Sequence, residues 1–389
     1  MVNLKDWQEI NIGNDTTLKA RIGWQGLTTS EYKDSGEYYL VTGTDFENGL
    51  VNWDTCHFVD KWRFDQDKNI QLKVNDVLIT KDGTIGKAGF IDTIKLPTTL
   101  NSGVFVIRTN SNKLDQKYLY YIFTSEIFVE FLNRLTAGST INHLYQKDFI
   151  HFTFKAPNIE EQKAIAKALS DTDELINSLE KLISKKEAIK QGTMQQLLTG
   201  KKRLSGFNGE WEEKRLGDFL AYEQPTNYLV SSTKYTENGE VPVLTAGKTF
   251  ILGYTSEENG IFNNLPTIIF DDFTTASKFV DFPFKAKSSA MKMLIPKNDK
   301  VNMRFMYEIM SQIKYQVGDH KRHWIGEFSN LEILVPPTSD EQQAISEILS
   351  DMDNEIETLK EKLSKTKAIK DGIMSELLTG KTRLKVKDE

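Results

Sequence analysis

A stretch of 44 residues occurs twice in this chain. The first copy opens Glu161-Gln162-Lys163-Ala164-Ile165 and closes Leu197-Leu198-Thr199-Gly200-Lys201-Lys202-Arg203-Leu204. The second opens Glu341-Gln342-Gln343-Ala344-Ile345 and closes Leu377-Leu378-Thr379-Gly380-Lys381-Thr382-Arg383-Leu384. The offset is a constant 180 without a gap, and 24 of the 44 aligned positions are identical. Self-similarity at long period constrains the fold more than any local signal.

Each copy reads as one long helix. Apolar residues fall at Ile165, Leu169, Ile176, Leu179 and Ile183, and again at Ile345, Leu349, Met352, Ile356, Leu359 and Leu363. Steps of three and four make the narrow seam of a coiled coil. Thr172 interrupts the first seam where Met352 continues the second, and Lys186 and Thr366 mark its fading. Asn158 and Thr338 stand as N-caps, with Glu161 and Glu341 at capping-box spacing behind Pro157 and Pro337. Gly200 and Gly380 stand as C-terminal caps, followed by Lys and Arg that suit the helix dipole. About 40 residues at 1.5 Å rise span roughly 60 Å. One such helix would serve as a dimerisation coil. Two in one chain, each behind a globular segment, point to an internal pseudo-dimer with antiparallel helices and one globular segment at each end.

The chain has 389 residues and is 39% apolar, enough for two or more domains. Its single cysteine, Cys56, excludes an internal disulfide and a Cys-based metal cluster, and favours a reducing compartment. The N-terminus lacks a signal-peptide shape and no run of 18 apolar residues occurs, so a cytoplasmic protein is expected. The net charge of −6 argues mildly against nucleic acid as partner of the whole surface, so the distribution of charge decides.

The segment 1–157 carries strand-like runs at 38–41, 76–80, 89–91 and 104–107, then a helical stretch at 115–134 whose aromatics suit a core. After the first long helix, 158–204, a Gly-rich linker leads into a second segment, 205–337, with strands at 241–244, 266–270 and 291–295 and a helix at 301–313. The second long helix lies within 338–389. The segments themselves align weakly. Trp7 to Gly13 matches Trp211 to Gly217, and Leu40-Val41-Thr42-Gly43 matches Leu244-Thr245-Ala246-Gly247, at an offset of 204; Gly138 and His143 match Gly318 and His323 at 180. The first segment is thus longer by 24 residues, assigned to the 48–75 region. Joining the chain ends would make the repeat circular, so the termini are expected to lie close together.

The order of segment, repeated helix, segment, repeated helix, the openings from Pro157 to Ile165 and Pro337 to Ile345, the two Leu-Leu-Thr-Gly-Lys-x-Arg-Leu closures, and the run from Asp76 to Lys87 resemble the DNA specificity subunit of a type I restriction–modification system. The resemblance covers nearly the whole chain. It implies an α/β (α+β) fold with two mixed target recognition domains, separated by two long helices in an antiparallel coiled coil. Each domain would read one half of an asymmetric bipartite DNA site, with half-sites about one helical turn, roughly 34–36 Å, apart. It implies no catalytic activity and no cofactor in this chain. Two methyltransferase subunits would bring S-adenosylmethionine, and restriction–translocase subunits docked through them would bring ATP and Mg2+.

Three stretches are candidates for DNA contact. Lys81, Thr84 and Lys87 lie in a Gly-containing loop after a strand, where backbone can approach closely and Lys and Thr can reach phosphates or base edges. Ser139, Thr140, Asn142 and His143 precede the first long helix, as His320, Lys321, Arg322 and His323 precede the second. Asn suits adenine and Arg suits guanine in the major groove. Lys248, Thr249, Thr274, Thr275, Lys285 and Lys287 form polar, locally basic patches in the second segment, suited to phosphate contact. His320 and His323 lack the further ligands a metal site needs. Gly247-Lys248-Thr249 mimics a P-loop end, but Pro242 stands where that loop needs Gly. Pro336-Pro337 lacks the flanking residues of an amino-methyltransferase motif, and Glu212-Glu213-Lys214 lacks the Asp of a nuclease site. The alternatives are a coiled-coil scaffold that holds proteins without reading DNA, and a self-sufficient nuclease or methylase.

Overall fold

The computed structural model describes residues 6–136, 143–247, 249–315 and 323–384. They form two compact units: residues up to Glu180 with those from Glu361 onward, and Lys181–Lys360. Packing therefore groups each globular head with half of each long helix. The helices run Ile159–Leu197 and Ser339–Leu377, 39 residues each.

In the first unit the head contains β1 (Gln8–Asn11), β2 (Thr16–Ala20), β3 (Tyr39–Val41), β4 (Phe46–Glu47), β5 (Leu50–Val51), β6 (His57–Phe58), β7 (Val77–Thr80), β8 (Ala88–Phe90), β9 (Thr98–Leu100), β10 (Val104–Thr109) and β11 (Thr153–Ala156). The main sheet has the order β2-β10-β7-β8-β5-β4, a smaller one β6-β3-β9, and β1 pairs β11. β7 and β10 are buried on both faces and read as continuous apolar runs for that reason. Helices α1 (Gln116–Phe123) and α2 (Glu126–Thr136) follow. Tyr118, Phe123, Phe128, Phe149 and Phe152 form an aromatic core that continues into Ile165 and Leu169 of the first long helix and Leu377 and Leu378 at the end of the second. Head and helices thus share one hydrophobic interior, and burial of these rings is the main stabilising term.

The second unit repeats this plan with β12 (Glu212–Arg215), β13 (Leu220–Glu223), β14 (Val241–Leu244), β15 (Ile251–Thr255), β16 (Thr267–Asp271), β17 (Ser277–Val280), β18 (Lys285–Ala286), β19 (Met291–Pro296) and β20 (Glu332–Val335). The order β13-β19-β16-β17 matches β2-β10-β7-β8, β15-β14-β18 matches β6-β3-β9, and β12 pairs β20 as β1 pairs β11. In both small sheets the central strand runs parallel to one neighbour, β9 or β18. Helix α3 (Met303–Gln312) stands for α1. Its core includes Phe305, Met306, Trp324 and Phe328, with Met194, Leu197, Ile345 and Leu349 from the long helices.

Within each unit the two helix halves run antiparallel, as their ion pairs show. In the first, Asp173 pairs with Lys370 at 2.6 Å, Glu180 with Lys367 at 2.7 Å, and Glu161 with Arg383 at 2.7 Å. In the second, Lys190 pairs with Asp353 at 2.5 Å, Glu187 with Lys360 at 2.7 Å, and Arg203 with Glu341 at 2.6 Å. Each pair of one unit is the repeat image of a pair in the other. The seam residues Ile165, Leu169, Ile176, Leu179, Ile183, Ile345, Leu349 and Ile356 are buried, and so is Thr366, where the sequence pattern fades.

Three expectations change. The capping boxes are half-formed: Asn158 Oδ1 accepts the Glu161 N–H at 2.9 Å and Thr338 Oγ1 the Glu341 N–H at 3.4 Å. The two glutamates do not fold back; each binds the arginine beyond the other helix, so Arg203 and Arg383 act as clasps more than as dipole partners. Arg383 also binds Asp6 at 2.8 Å and lies 5.7 Å from the Trp7 ring, which brings the two ends of the described chain together. Second, the extra length of the first head is spread out. Part lies in 42–76 against 245–266, and part in α2, for which the described residues of the second head hold no counterpart. Third, the His143–His323 pairing is one residue out of step. Leu144 N donates to Lys81 O at 2.8 Å and His323 N to Asp272 O at 3.0 Å, at matching places in the sheets, so His323 corresponds to Leu144.

Candidate nucleic-acid interface

The sheets of the first head leave a cleft of about 580 Å³ where β3, β7 and β9 end. Thr42, Gly43 and Thr44 follow β3, Asp82, Gly83, Thr84 and Lys87 lie in the β7–β8 loop, and Asn101 and Gly103 follow β9; Tyr32 and His57 add an aromatic wall. Their rings lie 5.3 Å apart. Gly43 permits the close approach of two strand ends: a Cβ there would lie 2.7 Å from Thr80 Cγ2. Gly83 and Gly86 have φ of +70° and +80°, which lets the loop turn back on itself. A Cβ on Gly86 would meet Leu132 Cδ1 at 2.3 Å, so this glycine also seats the loop on α2.

Thr84 and Lys87 are exposed at the cleft, and Lys87 Nζ donates to Phe46 O at 2.6 Å. Lys81 is half-buried with its ammonium 5.3 Å from the Phe105 ring centre, and burial pulls its pKa down. His143 is held by the Asp82 carboxylate and packs on Tyr145 at 4.5 Å. This joins the pre-helix segment to the β7–β8 loop, two stretches that the sequence presents separately. Ser139, Thr140 and Asn142 lie outside the described residues, as do Lys248, His320, Lys321 and Arg322.

In the second head, Thr249 and Thr274 are exposed, and Thr275 is half-buried with φ of +59° in the β16–β17 loop. Lys287 follows β18, its ammonium 5.9 Å from the Tyr235 ring. Two candidates are corrected. Lys285 is buried, bound to the Glu257 carboxylate at 3.0 Å and to Asn259 O, so its charge neutralises a protein carboxylate and not a phosphate. That pair, with Ser231, pulls Glu257 down to about 2. His323 is 1% exposed and packs against Tyr315, which removes its side chain from any docking surface. Lys292, in the same acid-free stretch, is also buried, against Asp272 at 3.2 Å.

Sequence reasoning missed Tyr32, His57, Thr44 and Asn101. They converge through the β6-β3-β9 sheet, whose antiparallel β3–β6 pairing places His57 and whose parallel β3–β9 pairing places Asn101, and no local pattern announces either. The weak match of Leu40-Val41-Thr42-Gly43 with Leu244-Thr245-Ala246-Gly247 was the available signal, though it is one residue out of step: the parallel pairs set Val41 against Leu100 and Leu244 against Ala286, so Val41 corresponds to Leu244.

The cleft offers hydroxyls, an amide, a carboxylate and ammonium groups at the end of a rigid sheet, the groups that read base edges and hold phosphates. Comparison with known proteins agrees with that class. Residues 5–191 and 208–367 match the type I restriction modification DNA specificity domain, and the chain belongs to that family. Its role is to supply DNA sequence specificity in a type I restriction–modification system. The Escherichia coli type I restriction enzyme EcoR124I/EcoR124II specificity subunit is 47% identical over 150 residues, 37% of each chain. The MjaVIII specificity subunit of Methanocaldococcus jannaschii is 25% identical across 98% of this chain and 94% of its own. The crystal structure of the type I restriction–modification S subunit from M. genitalium has the same fold, with a TM-score of 0.68 at 19% identity over 97% of this chain and 96% of that one.

Proposed function

We propose that each head reads one half of an asymmetric bipartite DNA site, with the cleft of the first head and the matching strand ends of the second as the reading surfaces. The observation that carries this is one topology with different side chains at equivalent rim positions. Lys87 O accepts the Thr80 N–H and Ala276 O accepts the Asp271 N–H, so a lysine of one rim is an alanine of the other. Two equal readers would select a palindrome; these would not. Lys81, Thr84, Lys87 and His143, with Ser139, Thr140 and Asn142, serve the first half-site. Thr249, Thr274, Thr275 and Lys287, with Lys248, His320, Lys321 and Arg322, serve the second.

The chain performs no chemistry itself in this reading and needs no cofactor. It holds two methyltransferase subunits, which bring S-adenosylmethionine, and through them restriction–translocase subunits, which bring ATP and Mg2+, in the cytoplasm where its DNA lies. The test is single-molecule sequencing of DNA from cells that express the chain with its methyltransferase partner. One asymmetric motif of N6-methyladenine, with two short specified halves and a fixed gap, is expected. A palindromic motif, or none with a partner shown to be active, would sink the proposal.

A further inference from the structure

Of the polar side chains that line the first cleft, those of Thr42, Thr44, Thr80, Asp82 and Lys87 are held by protein partners, while Tyr32, His57 and Thr84 have no side-chain hydrogen bond among the described residues. Thr42 Oγ1 lies 2.7 Å from Thr44 Oγ1 and donates to Asp45, Asp82 holds His143, and Lys87 donates to Phe46 O. Asn101 differs. Its Oδ1 accepts the Gly103 N–H at 3.0 Å, which fixes the amide plane, while Nδ2 has no partner among the described residues. A pinned carboxamide with a free NH2 and a spare lone pair on oxygen presents the donor–acceptor edge that matches adenine N7 and N6.

The sheet register carries this position into the second head. Asn101 N donates to Val41 O at 3.0 Å, one residue beyond the parallel β3–β9 pair; Lys287 N donates to Leu244 O at 2.9 Å, one residue beyond β14–β18. The two side chains therefore start from the same point of the same fold. Lys285 and Lys292 spend their charges on Glu257 and Asp272, whereas no carboxylate among the described residues pairs with Lys287. A lone cationic donor suits guanine O6 and N7.

We propose that this shared position sets a base in each half-site: Asn101 selects adenine in one and Lys287 selects guanine in the other. The inference rests on the reading of the heads as half-site readers.

The test maps methylation motifs made by the complete chain with its methyltransferase partner, as wild type, Asn101→Lys, Asn101→Ala and Lys287→Asn. Asn101→Lys should change one specified base from adenine to guanine in one half-site only, and Lys287→Asn should make the reverse change in the other. Asn101→Ala removes the amide alone. It should weaken discrimination at that same base by about tenfold to a hundredfold, read as relative methylation of cognate and singly altered duplexes by the purified complex. Full discrimination retained in Asn101→Ala, or altered preference at bases in both halves, would overturn the assignment, even where Asn101→Lys abolishes methylation. A wild-type complex that methylates no two-part site would instead remove the half-site reading, so the two failures are told apart.

Discussion

Lys81 and Asp272 occupy one place in two copies of the same sheet, and their surroundings have exchanged roles. β10 pairs Val104 with Thr80, and β19 pairs Met291 with Asp271, so Phe105 and Lys292, the next residues of those strands, stand at the same point of the two sheets. In the first head a lysine ammonium rests near a phenyl ring, at 5.3 Å. In the second a carboxylate meets a lysine at 3.2 Å, both side chains almost wholly buried, and the same carboxylate also accepts the Trp324 N–H at 2.9 Å. The long helices show the opposite behaviour: Asp173–Lys370 and Lys190–Asp353 are the same pair built twice. Head interiors have been rebuilt around a fixed backbone plan, while the helix contacts have been kept. The join between them follows the same rule. Tyr121 OH donates to Asp173 at 2.9 Å, whereas Asp353 receives Arg304 at 2.5 Å, beside Glu308, whose pKa burial raises. The helix aspartate is common to both joins, and the head residue that meets it is not.

The largest expected asymmetry lies at the exchanged site. Lys292→Met leaves Asp272 buried without its cation and should cost the second head about 3–5 kcal/mol. Lys81→Met removes a partly solvated ammonium from a ring face, an interaction of about 0.5–1 kcal/mol. Hydrogen exchange in β16 and β19, against β7 and β10, reads both effects. Equal losses in the two variants would break the comparison.

The clasps should behave as twins. Arg383→Ala and Arg203→Ala each strand a buried glutamate, Glu161 at 4% and Glu341 at 1% side-chain exposure. Each should cost its unit about 3 kcal/mol, the lower end of the range because the arginines are partly solvated. Local exchange rates at the start of each long helix would show it. An effect in one alone would mean that the repeated geometry is not a repeated energy.

How much of this was legible depended on where the constraint acts. The long helices were readable because their seam, caps and glycine stops are local: Gly200 and Gly380 do have φ of +67° and +72°. The strands with apolar runs were readable for the same reason. The pairings β1–β11 and β12–β20 were not, since each joins segments distant in sequence, although the run at 212–214 does read as an edge strand. At the candidate site, the β7–β8 loop announced itself through its glycines. Lys285 did not announce its burial, because its carboxylate partner lies 28 positions earlier, at Glu257. A lysine in an acid-free stretch looks free only when the fold is unknown.

That pair yields a pH prediction confined to one head. Lys285, with the Ser231 hydroxyl and the Ser231 and Ser232 N–H groups, pulls the Glu257 carboxyl from its ordinary 4.5 to about 2. The folded pKa lies below the unfolded one, so the stabilisation is complete above about pH 4.5 and fades as pH falls toward 2. Thr99 holds the place of Lys285 in the first head, where the β3–β9 register sets it beside Leu40. Glu257→Gln should therefore lower the unfolding free energy of the second head at neutral pH, with the difference from wild type narrowing in acid. Urea titrations from pH 7 to pH 2.5 would check it, and a gap that widens in acid would count against the pair.

The smallest asymmetry lies in the helix caps, where the repeat is imperfect by geometry alone. Asn158 Oδ1 receives the Glu161 N–H at 2.9 Å, whereas Thr338 Oγ1 lies 3.4 Å from the Glu341 nitrogen, near the limit of a useful bond. Asn also leads Thr as an N-cap. Asn158→Ala should cost about 1 kcal/mol and Thr338→Ala about half of that. Both amides carry the clasp glutamates, so fraying there would loosen the Arg383 and Arg203 contacts in proportion. Exchange rates of the Glu161 and Glu341 amides measure each cap directly. Equal costs would show that the longer bond closes in solution and that the two helix starts are energetically the same, which would confine the difference between the units to their heads.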